Sequence, residues 1–132
     1  MRQGRIVVGG DPRFRARALR LRADAARVLA FIRLDASVHI ILVGAPHMDT
    51  NVLSFQAPPQ VARPDFPTQF LGELYLNPEY IARHGESLRY MLIHGLLHLV
   101  GYDHVRARAR MRMERVERRI MRALREPSSG AR

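Results

Sequence analysis

Apolar residues recur along this chain with two different periods, and each change of period marks an element. Phe14, Ala18, Leu21, Ala25, Val28 and Ile32 return at intervals of three and four, which predicts an amphipathic helix reaching about Leu34. Asp11 followed by Pro12 supplies an N-cap and a proline at the first helical position. Arg13, Arg17, Arg20 and Arg27 fall on the other sides of that helix and read as a solvated face. A second helical stripe, Met113, Val116, Ile120 and Leu124, predicts a helix from about Ala107 to Leu124. Arg108, Arg112, Arg115, Arg119 and Arg122 cover much of its remaining surface, and Glu114 and Arg118 are spaced to pair.

Between these helices the period falls to two. Ser37 to Val43 alternates and is rich in β-branched residues, so it reads as a strand. Arg5 to Val8 (ended by Gly9-Gly10), Asn51 to Phe55 and Leu71 to Leu76 read as three more. Gly44 to Thr50 is a loop. Gln56 to Gln69 holds four prolines and is expected to be a loop, a mobile flap near the site. Asn77-Pro78 opens a short helix that stops at Gly85, and Ser87 opens another that ends at Gly101. Strands precede most helices, which predicts an α+β fold, a small mixed four-stranded sheet packed with about four helices. The expected organisation is a single domain over residues 1–126 and a disordered tail over 127–132.

Composition narrows the class. A chain of 132 residues that is 47% hydrophobic can bury a core without staples and is not intrinsically disordered. There is no cysteine, so disulfides and thiolate metal sites are excluded. The longest apolar run, Ile93 to Val100, is too short to span a bilayer, and no apolar signal segment is visible. Every one of the 22 basic residues is arginine, set against 12 acids, for a net charge of +10. Genomic base composition accounts for the choice of arginine over lysine. The imbalance itself points to a polyanionic partner, RNA, DNA or an anionic membrane.

The chemistry concentrates in His94, His98 and His104. The first two are four apart and project from one helical face. Gly101 can then turn the chain so that His104 converges on them. Three imidazoles with one open position form the ligand set of a catalytic zinc site, on what would be a zincin-like metal-binding helix. The spacing is that of the metzincin pattern H-E-x-x-H-x-x-G-x-x-H, with Gly95 in place of the glutamate base. This argues for a metal hydrolase that is not a peptidase. The ordinary alternative, histidines packed in a core, is weakened because unpaired buried imidazoles cost free energy.

Three stretches carry a family resemblance. The run from His94 to His104 is similar to the signature H-G-x-L-H-L-x-G-Y-D-H of the YbeY family of bacterial rRNA-maturation endoribonucleases. Thr50 to Phe55 resembles its T-[DN]-V-L-S-F strand, and Leu71 to Leu76 its L-G-D-I-x-I strand with Glu73 for Asp. Met113-Glu114 and Glu117 match its last helix, and the likeness covers roughly Val38 to Leu124.

The resemblance implies a single-strand-specific, metal-dependent endoribonuclease of the cytoplasm. It would act in small-subunit rRNA 3′-end maturation and ribosome quality control, with single-stranded rRNA and the small ribosomal subunit as partners and no membrane. One Zn²⁺ per chain would be held by His94, His98 and His104. Asp103 would orient an imidazole or, failing that, cap the next helix. Asn51, Ser54 and Arg63 would contact RNA. The family's arginine in the loop ahead of Thr50 is replaced, at the position read as Ala45, in a loop that offers His47 and Asp49 instead. Gln56 stands where the family has a proline. Without that arginine, slowed cleavage is expected unless Arg63 reaches in from the proline-rich loop. The alternative is a non-catalytic RNA-binding assembly factor whose structural metal takes His47 or Asp49 as fourth ligand.

Overall fold

The computed structural model describes residues 5–58, 69–103 and 105–125. In chain order these form β1 (Ile6–Gly10), a 3₁₀ turn (Pro12–Phe14), α1 (Arg15–Phe31), β2 (Ala36–Leu42), β3 (Val52–Gln56), β4 (Gln69–Leu76), α2 (Pro78–Arg83), α3 (Leu88–Val100) and α4 (Ala107–Arg125). The capping chemistry explains most of these boundaries. The Asp11 side chain accepts from the backbone N–H of Arg13, Asn77 from that of Tyr80, and Ser87 from that of Tyr90. Gly101 closes α3 in the left-handed region at φ 117°, where a side chain would be strained.

The sheet order is β1-β2-β4-β3, with β1, β2 and β4 parallel and β3 antiparallel to β4. The α+β architecture with a mixed four-stranded sheet is therefore as expected. β4, later in sequence, lies between β2 and β3, which leaves β3 at an edge. Alternation decides the two faces. Ala36, Val38, Ile40, Leu42, Leu74 and Leu76 are buried under the helices, with Ile93, Leu96, Leu97 and Ile120 packed into the same core. His39, Ile41, Glu73 and Tyr75 sit on the opposite, half-exposed face. α1 packs on β1, α3 on β3 and β4, and α4 against α1 and α3.

Several details differ from the sequence expectation: the segment read as loop from Gln56 to Gln69 gives Gln56 to β3 and Gln69 to β4, which starts two residues before Leu71, and α1 ends at Phe31, short of Leu34. β1 continues through Gly9 and Gly10 rather than stopping at Val8. Nor are the arginines of the 3₁₀ turn and α1 all merely solvated. Arg13 pairs with Asp11 and Glu79, while Arg27 donates from Nη2 to the Ala123 carbonyl at 2.9 Å and from Nη1 to that of Leu124 at 3.2 Å. These carbonyls end α4 without helical partners, and a cation there also meets the negative end of the helix dipole. Arg27→Ala is accordingly expected to cost about 1–2 kcal/mol, read as a lower midpoint in thermal melting; an unchanged midpoint would make the contact energetically empty.

Among the described residues, no helix is long and apolar enough to cross a membrane. Most of the proline-rich loop, including Arg63, lies outside the described residues, as do His104 and the tail expected over 127–132.

Candidate active site

α3 is apolar on nearly every side, which suits a helix buried between a sheet and other helices. Leu92, Ile93, Leu96, Leu97 and Leu99 are each at most 4% exposed. Gly95 faces β4, and a Cβ built there would run into the Cδ1 methyl of Leu74. The absence of a side chain thus lets α3 lie close on the sheet. Along the same helix, His94 and His98 stand one turn apart with their rings edge to face and centroids 4.6 Å apart.

The nitrogens of this pair have distinct partners. His94 Nδ1 lies 2.6 Å from Glu117 Oε2, and His98 Nε2 lies 3.2 Å from His94 Nε2. The Tyr90 hydroxyl donates to the other oxygen of Glu117. Glu117 comes from α4 and is only 1% exposed. Burial pushes its carboxyl upward, but the hydrogen bonds from His94 and Tyr90 hold it below the usual carboxylate value. An ionised carboxylate can only accept. It therefore selects the His94 tautomer protonated on Nδ1 and leaves the Nε2 lone pair facing His98. Burial, followed by the hydrogen bond and charge of Glu117, raises the Tyr90 phenol well above its ordinary value, which keeps its donor proton in place.

This arrangement fits a cation. Two nitrogens bound to one tetrahedral ion at zinc distances stand about 3.3 Å apart, close to the 3.2 Å between the two Nε2 atoms. The carboxylate behind His94 is the support that metal-ligating histidines ordinarily have. Among the described residues, no group of three or more histidine, aspartate or glutamate side chains is gathered as a metal cage. The expected third ligand, His104, is outside them.

The other expected site residues sit around α3. Asp103 Oδ1 accepts from Val105 N at 2.8 Å, the contact of a turn leading into α4. Among the described residues the carboxylate on an imidazole is instead Glu117. Asn51 Oδ1 accepts from Val52 N at 2.8 Å, and its amide donates to Glu86 Oε1 at 3.1 Å. Ser54 Oγ donates to the carbonyl of Gly95 at 3.4 Å, and Gln56 Nε2 to that of His98 at 3.1 Å. These side chains tie the edge strand β3 to the histidine helix.

The loop before β3 carries no arginine, and Ala45 is joined to Pro46 by a cis peptide bond. The guanidinium beside its first residue, Gly44, is that of Arg13, held by its acidic partners. His47 lies against the open face of the sheet, beside Phe55 and Glu73.

Sequence reasoning placed Glu117 in the family match but gave it no role, and passed over Tyr90. The available signal was an acid at the spacing of the buried α4 stripe, four residues after Met113 and three before Ile120. A buried carboxylate there requires partners.

The family model described as "Endoribonuclease YbeY" matches residues 45–125. A protein of that name from Anaeromyxobacter sp. is 36% identical over 85% of this chain and 67% of its own length. One from Sinorhizobium medicae is 35% identical over 88% of this chain and 76% of its own. The solution structure of a Thermotoga maritima protein superposes with a TM-score of 0.52 at 21% identity, covering 96% of this chain and 99% of that one, and supports the fold alone. With the model match spanning more than half of its length and two such relatives, this chain belongs to the YbeY endoribonuclease family.

Proposed function

We propose that this chain is a metal-dependent endoribonuclease that cuts single-stranded RNA. Its place would be the maturation of the small-subunit rRNA 3′ end and ribosome quality control, in the cytoplasm and on the small ribosomal subunit. The observation that carries the reading is the pair of facing imidazole nitrogens 3.2 Å apart, one of them oriented by a buried carboxylate. Relatives named as endoribonucleases supply the reaction class, and the net charge of +10 suits a polyanionic substrate.

His94 and His98, with His104 as the expected third ligand, would hold Zn²⁺. A bound cation of this kind supplies Lewis-acid polarisation of a phosphoryl oxygen and acidifies water. The chain's own residues do the positioning. Glu117 fixes the tautomer and rotation of His94, and Tyr90 fixes Glu117. Ser54 and Gln56 hold β3 against α3, so that the edge strand forms a wall beside the imidazoles. Asp103 shapes the turn that leads from α3 towards α4. Because the 44–50 loop lacks an arginine, stabilising charge for the phosphate falls to another residue, and Arg63 is the one we assign.

The test is cleavage of a single-stranded oligoribonucleotide by protein reconstituted with Zn²⁺. The expected result is about one metal per chain and cleavage that disappears with chelator and in His98→Ala. In Arg63→Ala cleavage should fall by about 10²–10³, as on loss of one charge-stabilising donor. Metal and RNA both bound without cleavage would reject the enzyme in favour of the assembly factor. Failure to take up any metal would reject the site.

A further inference from the structure

β3 serves two sides of the sheet. Ser54 and Gln56 face the histidine helix, while Leu53 and Phe55 point to the opposite, uncovered face. There the register brings Phe55 beside Glu73, and Leu53 beside Tyr75, on the neighbouring β4. His39 and Ile41 of β2 extend the same two rows across the sheet. Phe55 and Tyr75 meet edge to face with centroids 5.7 Å apart. They border a hollow of about 430 Å³ that Val43, Met48 and Leu53 wall with apolar surface and that holds Glu73 and His47 as its polar groups. That volume is in the usual range for a ligand pocket, about 300–1,000 Å³.

The contents of this hollow select a ligand class. Phe55 is 53% exposed, so much of its ring is open to contact, and unstacked bases of single-stranded RNA are held on such aromatic groups. Among the described residues the Glu73 carboxylate accepts one side-chain hydrogen bond, from the Tyr75 hydroxyl at a long 3.4 Å, which leaves acceptor capacity for a ligand. An ionised carboxylate accepts and does not donate, so its two oxygens are matched best by a ligand edge with two adjacent donors. Guanine offers adjacent ring N–H and exocyclic amine donors. Adenine and cytosine place an acceptor nitrogen beside their amine, and uracil flanks its one N–H with two carbonyls.

We infer that the open face of the sheet holds a nucleobase pocket, in which Phe55 and Tyr75 contact the ring of a guanine and Glu73 accepts from its Watson–Crick edge. The inference rests on the reading of this chain as one that handles single-stranded RNA. Because β3 separates the pocket from the imidazoles, a strand passing over its free edge would place one base in the pocket and a neighbouring phosphate on the histidine side. The pocket would thus set where along an RNA the site is presented.

The experiment measures binding of the full chain, in chelator, to fluorescein-labelled oligouridylates carrying one central guanosine, inosine, adenosine or uridine. Guanosine is expected to bind at least about tenfold more tightly than adenosine or uridine, the discrimination of one bidentate contact. Inosine, lacking the exocyclic amine, should lose most of that gain. Glu73→Gln should abolish the preference while leaving oligouridylate binding unchanged, and Phe55→Ala, at a half-exposed position, should weaken the guanosine complex while keeping a cooperative melting transition. Equal affinity for all four oligonucleotides overturns the pocket, and so does a guanosine preference that survives both substitutions. Chelator removes cleavage from the measurement, so an inactive chain that still prefers guanosine would sink the proposed activity and leave the pocket standing.

Discussion

Glu117→Gln will lower the affinity of the chain for Zn²⁺ by about 10- to 100-fold, the usual cost of losing the support behind a histidine ligand. The carboxylate spans two helices, accepting from His94 Nδ1 on one oxygen and from Tyr90 on the other. His94 and Tyr90 meet different oxygens of Glu117, and an amide replaces one of these by an NH2 donor, so in this geometry one of the two hydrogen bonds loses its acceptor. It also removes the negative charge that favours a proton on Nδ1 and a lone pair on Nε2. Tyr90→Phe leaves that charge in place and should weaken metal binding less than Glu117→Gln. Competition with a chromophoric chelator reads both effects without any RNA. Wild-type affinity in Glu117→Gln would reduce the carboxylate to a packing contact.

Gly95→Glu is expected to abolish cooperative folding. The position faces Leu74 on β4, where even a methyl group meets the leucine side chain, and Leu74 is fully buried, so it can give way only against its core neighbours. Gly95→Ala should therefore lose about 1–3 kcal/mol by overpacking while keeping the fold. A glutamate adds a carboxylate with no partner in an apolar contact, worth several kcal/mol more, against a total stability of about 5–15 kcal/mol. Circular dichroism melts separate the two, and a native-like transition in Gly95→Glu would refute the account. The same packing explains why a zincin-like histidine spacing lacks its glutamate here: that position of the helix belongs to the sheet contact.

The elements were legible because their ends are chemically marked. Asp11, Asn77 and Ser87 begin helices by accepting backbone N–H groups, Gly101 ends one in a conformation few residues adopt, and β2 alternates cleanly. The pairing order was not legible. Nothing local in Val52–Gln56 says that its sheet neighbour is β4 alone, because that choice depends on packing under α3. The histidine spacing gave two imidazoles on one helical face, as observed. It could not give Glu117, which reaches them from a helix 23 residues away in sequence. Arg27 read as solvated because its partners, the carbonyls that end α4, lie 96 and 97 residues away. Asn51 and Ser54 matched a family strand, but a motif does not say whether an amide or hydroxyl is spent inside the chain. Here both make internal hydrogen bonds.

The edge position of β3 has a consequence for how the molecule is assembled. β2 and β4 are each bonded on both sides, whereas β3 is bonded only to β4, a strand that follows it in the chain. β3 reaches the rest of the sheet only through β4, so, like the other edge strand β1, it can be released without breaking the central β2–β4 ladder. The two faces it borders, the histidine side and the base hollow, would then open and close together. A local excursion of five residues would expose or withdraw both at once, at the cost of the Ser54 and Gln56 hydrogen bonds to α3 and of the Val52 contact with the core.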